Sequence, residues 1–117
     1  MKRGEIWWAD LGPFRPMEQV GRRPVVVWQS DALIQMLQSV LVVPLTTNMS
    51  RANLAGTAVI EAAESGPPSA SVALAFQMRA VPRDCLSKRI RALTPAETAE
   101  LELATDEALG RVAPPVT

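Results

Sequence analysis

A chain of 117 residues with 48% hydrophobic content has the length of one domain, spanning 1–117, and enough apolar residues for one core, which excludes a two-domain reading. Twelve Lys plus Arg against twelve Asp plus Glu leave no formal net charge, so bulk basicity does not drive it onto nucleic acid or an anionic membrane and any such binding is local. With one cysteine, Cys85, and no histidine, an intramolecular disulfide, a structural zinc site and histidine-based nucleophilic or acid–base chemistry are excluded.

Taken in chain order, alternating residues from Glu5 to Leu11 predict a first strand, ended by Gly12-Pro13. A long polar loop over 12–23 carries Arg15, Glu18, Gln19, Arg22 and Arg23. Pro24 starts a second strand through Gln29, Ser30-Asp31 can cap a short helical or irregular piece up to Gln38, and Ser39 to Leu45 makes a third strand ended by Thr46-Thr47-Asn48. After a second polar loop, Met49 to Gly56, come a strand from Thr57 to Glu61, a turn at Ser65-Gly66-Pro67-Pro68 and a strand from Ala70 to Phe76 that can run on to Val81. A last strand is expected near Arg89 to Leu93. The longest apolar runs, Val25 to Trp28 and Val40 to Val43, are strand-sized and far below the roughly 18 to 20 residues of a membrane-spanning helix. Neither end resembles a targeting segment, so the cytoplasm is the expected location.

The helix expected over Thr94 to about Leu109 has the strongest local signal. Thr94 is a natural N-cap, Pro95 suits the first helical position, Glu97 completes a Thr-x-x-Glu capping box, and Gly110 stops it. Leu101, Ala104 and Ala108 share a face, while Glu97, Glu100, Glu102, Asp106 and Glu107 load the segment with negative charge. No Lys or Arg lies between 94 and 110, so residues 1–93 hold eleven basic against seven acidic groups. The elements add up to a small, mostly antiparallel barrel-like sheet with one C-terminal helix. Trp7, Trp8 and Trp28 are expected in core or dimer packing, and the surplus of apolar strand surface, including Val25 to Val27, predicts pairing with a second copy.

Four stretches carry a family resemblance: Lys2-Arg3-Gly4-Glu5-Ile6-Trp7, Glu18-Gln19-Val20-Gly21-Arg22-Arg23-Pro24-Val25-Val26-Val27, Val42-Val43-Pro44-Leu45-Thr46-Thr47 and Val72-Ala73-Leu74-Ala75-Phe76-Gln77-Met78-Arg79. In order and spacing the chain resembles the MazF/PemK family of toxin endoribonucleases from type II toxin–antitoxin systems, up to the helix opened by Leu93-Thr94-Pro95-Ala96-Glu97. The resemblance implies a mainly β, SH3-like small antiparallel barrel with a C-terminal helix, acting as a cytoplasmic homodimer. It implies sequence-specific cleavage of single-stranded RNA, mRNA above all, with no metal and no cofactor. The products would be 2′,3′-cyclic phosphate and 5′-OH ends, the outcome growth arrest, and the brake a cognate antitoxin protein.

Such cleavage uses the substrate's own 2′-OH and needs a base, a proton source for the departing 5′-oxygen and donors for the pentacoordinate phosphate. By the resemblance Arg23 stabilises that phosphate, Thr46 donates a hydroxyl hydrogen bond to it, and Glu18 is the candidate base; a guanidinium stays protonated and serves poorly as one. Arg15, Gln19, Arg22, Thr47, Asn48, Phe76, Gln77 and Arg79 are the candidate RNA contacts. Phe76 stands where many members carry a carboxylate, and Met17 and Val20 replace smaller residues. Two alternatives stay open. One is a gyrase-poisoning toxin of the same fold, disfavoured because its known relatives use a C-terminal Trp-Gly-Ile and this chain ends Pro-Pro-Val-Thr. The other is a non-catalytic RNA-binding barrel, for which Phe76 argues.

Overall fold

The computed structural model describes residues 1–13, 21–62 and 67–112. Expectations for Arg15, Met17, Glu18, Gln19, Val20, the Ser65-Gly66 turn and residues 113–117 lie outside the described residues. The chain forms β1 (Glu5–Asp10), β2 (Arg22–Val27), α1 (Asp31–Met36), β3 (Ser39–Thr46), β4 (Thr57–Ile60), β5 (Ser71–Leu74), β6 (Arg79–Pro82), β7 (Leu86–Ala92) and α2 (Pro95–Ala108). The strands run in the order β4-β5-β3-β2-β1-β7 with β6 also on β3, and every pairing is antiparallel. This is the mainly antiparallel sheet with a C-terminal helix that the sequence predicts.

β3 is the pivot. Its Ser39–Val42 half pairs with β6 and its Leu45–Thr46 end pairs with β5, while its other side pairs with β2. Pro44 lies between the two stretches, where an absent N–H removes no bond to β5 or β6. Val25, Val26 and Val27 are fully buried because both faces of β2 are covered. Val26 joins Ile6, Trp28, Val43, Leu45, Leu101 and Ala104 under α2, whereas Val25 and Val27 join Ala9, Leu11, Ile34, Val42 and Leu86 on the opposite face.

Several boundaries differ from expectation, each for a local reason. Arg22 and Arg23 are not loop residues: β2 begins with them, paired to Asp10 and Ala9. Ser30 makes no side-chain cap on α1; Asp31 instead accepts the Arg3 N–H at 2.7 Å, tying α1 to the chain's start. The strand expected from Ala70 to Phe76, with room to run on to Val81, ends at Leu74 in a 3₁₀ turn at Ala75–Gln77, which lets the chain leave β4 and rejoin β3 further along. β7 starts at Leu86, not Arg89; its exposed Ser87, Lys88 and Arg89 hide a strand pattern because β7 is an edge, where charge deters pairing with other chains. Trp28 lies just past β2, and Val25 to Val27 and Trp28 are covered inside one copy, so they do not supply the apolar surplus expected for dimerisation. The exposed large apolar side chains are others, among them Met36, Leu54, Phe76, Leu103 and Leu109.

The capping box at Thr94 forms as predicted, with Glu97 N–H donating to Thr94 Oγ1 (3.1 Å) and Thr94 N–H to Glu97 Oε1 (2.9 Å). Glu97 is not part of the exposed acidic face, however; it is 5% exposed. Its carboxylate meets Arg91 on β7 in a two-pronged pair, 2.7 and 2.9 Å, and accepts the Glu61 N–H at 3.0 Å. Burial alone would raise its pKa, but the bonds from Arg91, Thr94 and Glu61 outweigh it and hold the group at about 2. At the other end of α2, Glu107 accepts the Gly56 N–H at 3.1 Å, so the helix grips both ends of edge strand β4. Ala108, expected on the buried face, is exposed, and Thr105 is buried in addition, accepting from Trp28 Nε1 at 2.9 Å.

Candidate active site

The β1–β2 register places Arg23 opposite Ala9, and extending the β2–β3 register from Val25↔Pro44 by two residues sets Arg23 opposite Thr46. Sheet pairing thus brings two residues far apart in sequence to one rigid ladder end. Arg23 Nη1 lies 3.5 Å from the Leu45 carbonyl oxygen, next to Thr46. Thr46 is buried, and its hydroxyl accepts the Asn48 N–H at 3.2 Å. An accepting bond of this kind fixes the hydroxyl and leaves its own hydrogen to be donated. Asn48 is held in turn, its Oδ1 accepting from Ser50 N–H (3.2 Å) and Ser50 Oγ (2.6 Å) as it caps the 3₁₀ turn Met49–Arg51.

Arg22 points its guanidinium over the Trp8 ring, 4.4 Å from the centroid, a cation–π contact that holds an exposed arginine in one place. Arg22, Arg23, Trp8, Pro24, Leu45 and Thr47 line a cleft of about 240 Å³ closed by Pro67, Pro68, Ser69 and Ser71. Other clefts of about 280 to 410 Å³ each include a carboxylate: Asp10 beside Arg79; Glu61, Glu97 and Glu100 beside Arg91; or Glu100 with Glu107. The Arg22–Arg23 cleft presents two guanidinium groups, which suit a phosphodiester.

The structure therefore brings together Arg22, Arg23, Thr46, Thr47 and Asn48. Phe76 lies apart, its ring close to Gly56 and that glycine close to Ala108 of α2, with Gln77 following in the same 3₁₀ turn. Arg79 stands at the start of β6 and donates from Nη2 to the Leu11 carbonyl at 3.1 Å. Trp8, Pro67 and Pro68 line the cleft without being among the residues the sequence singles out for it. The signal was available for Trp8: neighbours on a strand point to opposite faces, so Trp7 and Trp8 do not share one core. No three His, Cys, Asp or Glu side chains among the described residues group to hold a metal ion.

The fold and the cleft define a small antiparallel barrel that presents two strand-borne arginines and a threonine at one open end. Residues 2–109 match the PemK-like, MazF-like toxins of type II toxin–antitoxin systems, and the chain belongs to that family. It is 31% identical over 110 residues to the endoribonuclease MazF of Staphylococcus saprophyticus, covering 94% of this chain and 92% of that one. It is 33% identical over 90 residues to endoribonuclease EndoA of Bacillus subtilis, 77% and 78% of the two chains. The same fold, with a TM-score of 0.78 at 22% identity, occurs in a mycobacterial endoribonuclease solved in complex with its cognate antitoxin, covering 97% and 99%. MazF of Deinococcus radiodurans matches with a TM-score of 0.77 at 21% identity, covering 94% and 96%.

Proposed function

We propose that the chain is a single-domain endoribonuclease toxin that cuts single-stranded RNA at short sequences without a metal ion, and that a cognate antitoxin holds it in check in the cytoplasm. The observation that carries this reading is the cleft lined by Arg22 and Arg23, where Arg23 Nη1 reaches the Leu45 carbonyl next to Thr46. The substrate's 2′-oxygen attacks the adjacent phosphorus, its proton passes to Glu18, and the 5′-oxygen leaves with a proton from solvent. The Arg23 fork takes two non-bridging oxygens as charge builds on them, and Thr46 donates to the same phosphate. Arg15, Gln19, Arg22, Thr47 and Asn48 hold flanking nucleotides, and Phe76 and Gln77 meet bases further along the strand.

The test is incubation of the pure protein with a long single-stranded RNA in EDTA. Full activity with 2′,3′-cyclic phosphate and 5′-OH ends is expected. A strict Mg²⁺ requirement or 5′-phosphate products would overturn the mechanism, and binding without cleavage would favour the non-catalytic alternative.

The working unit under this proposal is a homodimer that sets two such clefts on one assembly, where an acidic and apolar antitoxin segment pairs with Arg22 and fills the groove used by RNA. Support comes from the exposed apolar side chains, which a second copy can cover. Sedimentation equilibrium should give about 25 kDa, twice the 12.6 kDa chain, and antitoxin should displace a non-cleavable RNA. A monomer at micromolar concentration, or both ligands bound without mutual weakening, contradicts it.

A further inference from the structure

The stem from which Arg22 and Arg23 enter β2 contains a one-residue slip. In a regular antiparallel pair, Leu11 and Gly21 would exchange both backbone bonds. Leu11 N–H does donate to the Gly21 carbonyl at 2.9 Å, but Gly21 N–H donates past Leu11 to the Gly12 carbonyl, also at 2.9 Å. Gly12, the extra residue, and Gly21 opposite it both adopt positive φ, +82° and +75°, a left-handed backbone that side chains resist. The slip strips the Leu11 carbonyl of its ladder partner, on a residue only 5% exposed. Arg79, half-buried and held by β6 in register with Val42, supplies the replacement donor at 3.1 Å.

We propose that Arg79 is a positioning residue. It holds the bulge by satisfying the bypassed Leu11 carbonyl, so that Arg22 and Arg23, immediately after Gly21, enter β2 in the register that sets them opposite Asp10 and Ala9. Without that donor the bulge loosens and its Gly21 N–H opens more often, since a buried carbonyl without a donor is unfavourable and draws water toward it. Arg79 then acts on the reaction without touching RNA, a role that rests on the endoribonuclease reading, whereas its grip on the bulge does not.

Two measurements on full-length Arg79→Met and Arg79→Lys separate these levels. Amide hydrogen exchange without RNA should show Gly21 exchanging about tenfold faster in Arg79→Met. Val26 and Val43 should keep their protection, and Arg79→Lys, with one ammonium able to reach the carbonyl, should fall between. In RNA cleavage, kcat should drop about tenfold while the salt dependence of binding stays put, since no phosphate contact is removed. A direct phosphate contact would instead raise KM and make the slope of log K against log salt shallower by about 0.7. Unchanged Gly21 exchange, or a KM and salt-slope effect with kcat intact, overturns the proposal. If Arg79→Met does not fold, the Arg79→Lys comparison decides by the same criteria. An inactive wild-type protein would sink the endoribonuclease reading and leave the exchange result to judge the bulge.

Discussion

Arg23→Ala should lower the rate of RNA cleavage by on the order of 10²-fold or more, measured under single-turnover conditions in EDTA on a defined oligonucleotide. The size follows from where Arg23 sits. It belongs to a strand, fixed on one side by Ala9 and reaching the Leu45 carbonyl next to Thr46 on the other, so its guanidinium is aimed before substrate arrives and need not reorganise as charge develops. Arg23→Lys should recover only part of the loss, because an ammonium offers a point charge where the fork holds two oxygens in one plane. Both variants should keep the fold, since Arg23 is half-buried at the end of a ladder and outside both cores. A near-normal rate for Arg23→Ala would move the site elsewhere in the molecule.

The largest expected stability effect belongs to Glu97. Glu97→Gln keeps the shape but removes the charge that meets Arg91 and weakens the cap on α2, leaving a guanidinium that is 13% exposed without its counter-ion. A loss of about 3 kcal/mol is expected from urea unfolding at pH 7, in line with breaking a buried pair by removing one partner. The wild-type protein carries a matching pH signature. Glu97 is held at about 2 in the folded chain against an ordinary 4.5, so between those values the unfolded state binds more protons than the native one. The stabilisation is complete above pH 4.5 and fades as pH falls toward 2, by about 3 kcal/mol in all. Glu97→Gln should lack that slope. A variant within about 0.5 kcal/mol of wild type, or one with the same acid dependence, would show that the Arg91–Glu97 contact does not hold α2 down.

The parts of the fold legible in the sequence are those with local causes. Thr94, Pro95, Glu97 and Gly110 write the start and stop of α2 in a single stretch, and Val25 to Val27 announce a strand covered on both faces. What escaped depends on pairing between distant residues. Nothing near Ala75 says that the chain should break a strand there, because the break serves to transfer it along β3. Glu97 reads as one of five acids on a helix until Arg91 is set against it by β7. The site divides in the same way. The family resemblance points to Arg23 and Thr46 but not to their place on strands, since Arg22 and Arg23 among prolines and glycines look like loop. The cation–π hold on Arg22 and the carbonyl bypassed at Leu11 are products of register, which a single sequence does not print.

The two-ended grip of α2 on β4 bears on the order in which the molecule is made. Every strand precedes α2 in the chain, and until α2 docks the outer side of β4 has open amides and carbonyls. In that interval the sheet is a template on which a neighbouring nascent chain, or another copy, can add a strand. Glu97 and Glu107 close it by occupying the amides just beyond its two ends, Glu61 and Gly56. Fourteen residues that follow every strand thus decide whether the β4 edge is covered or left open to another chain.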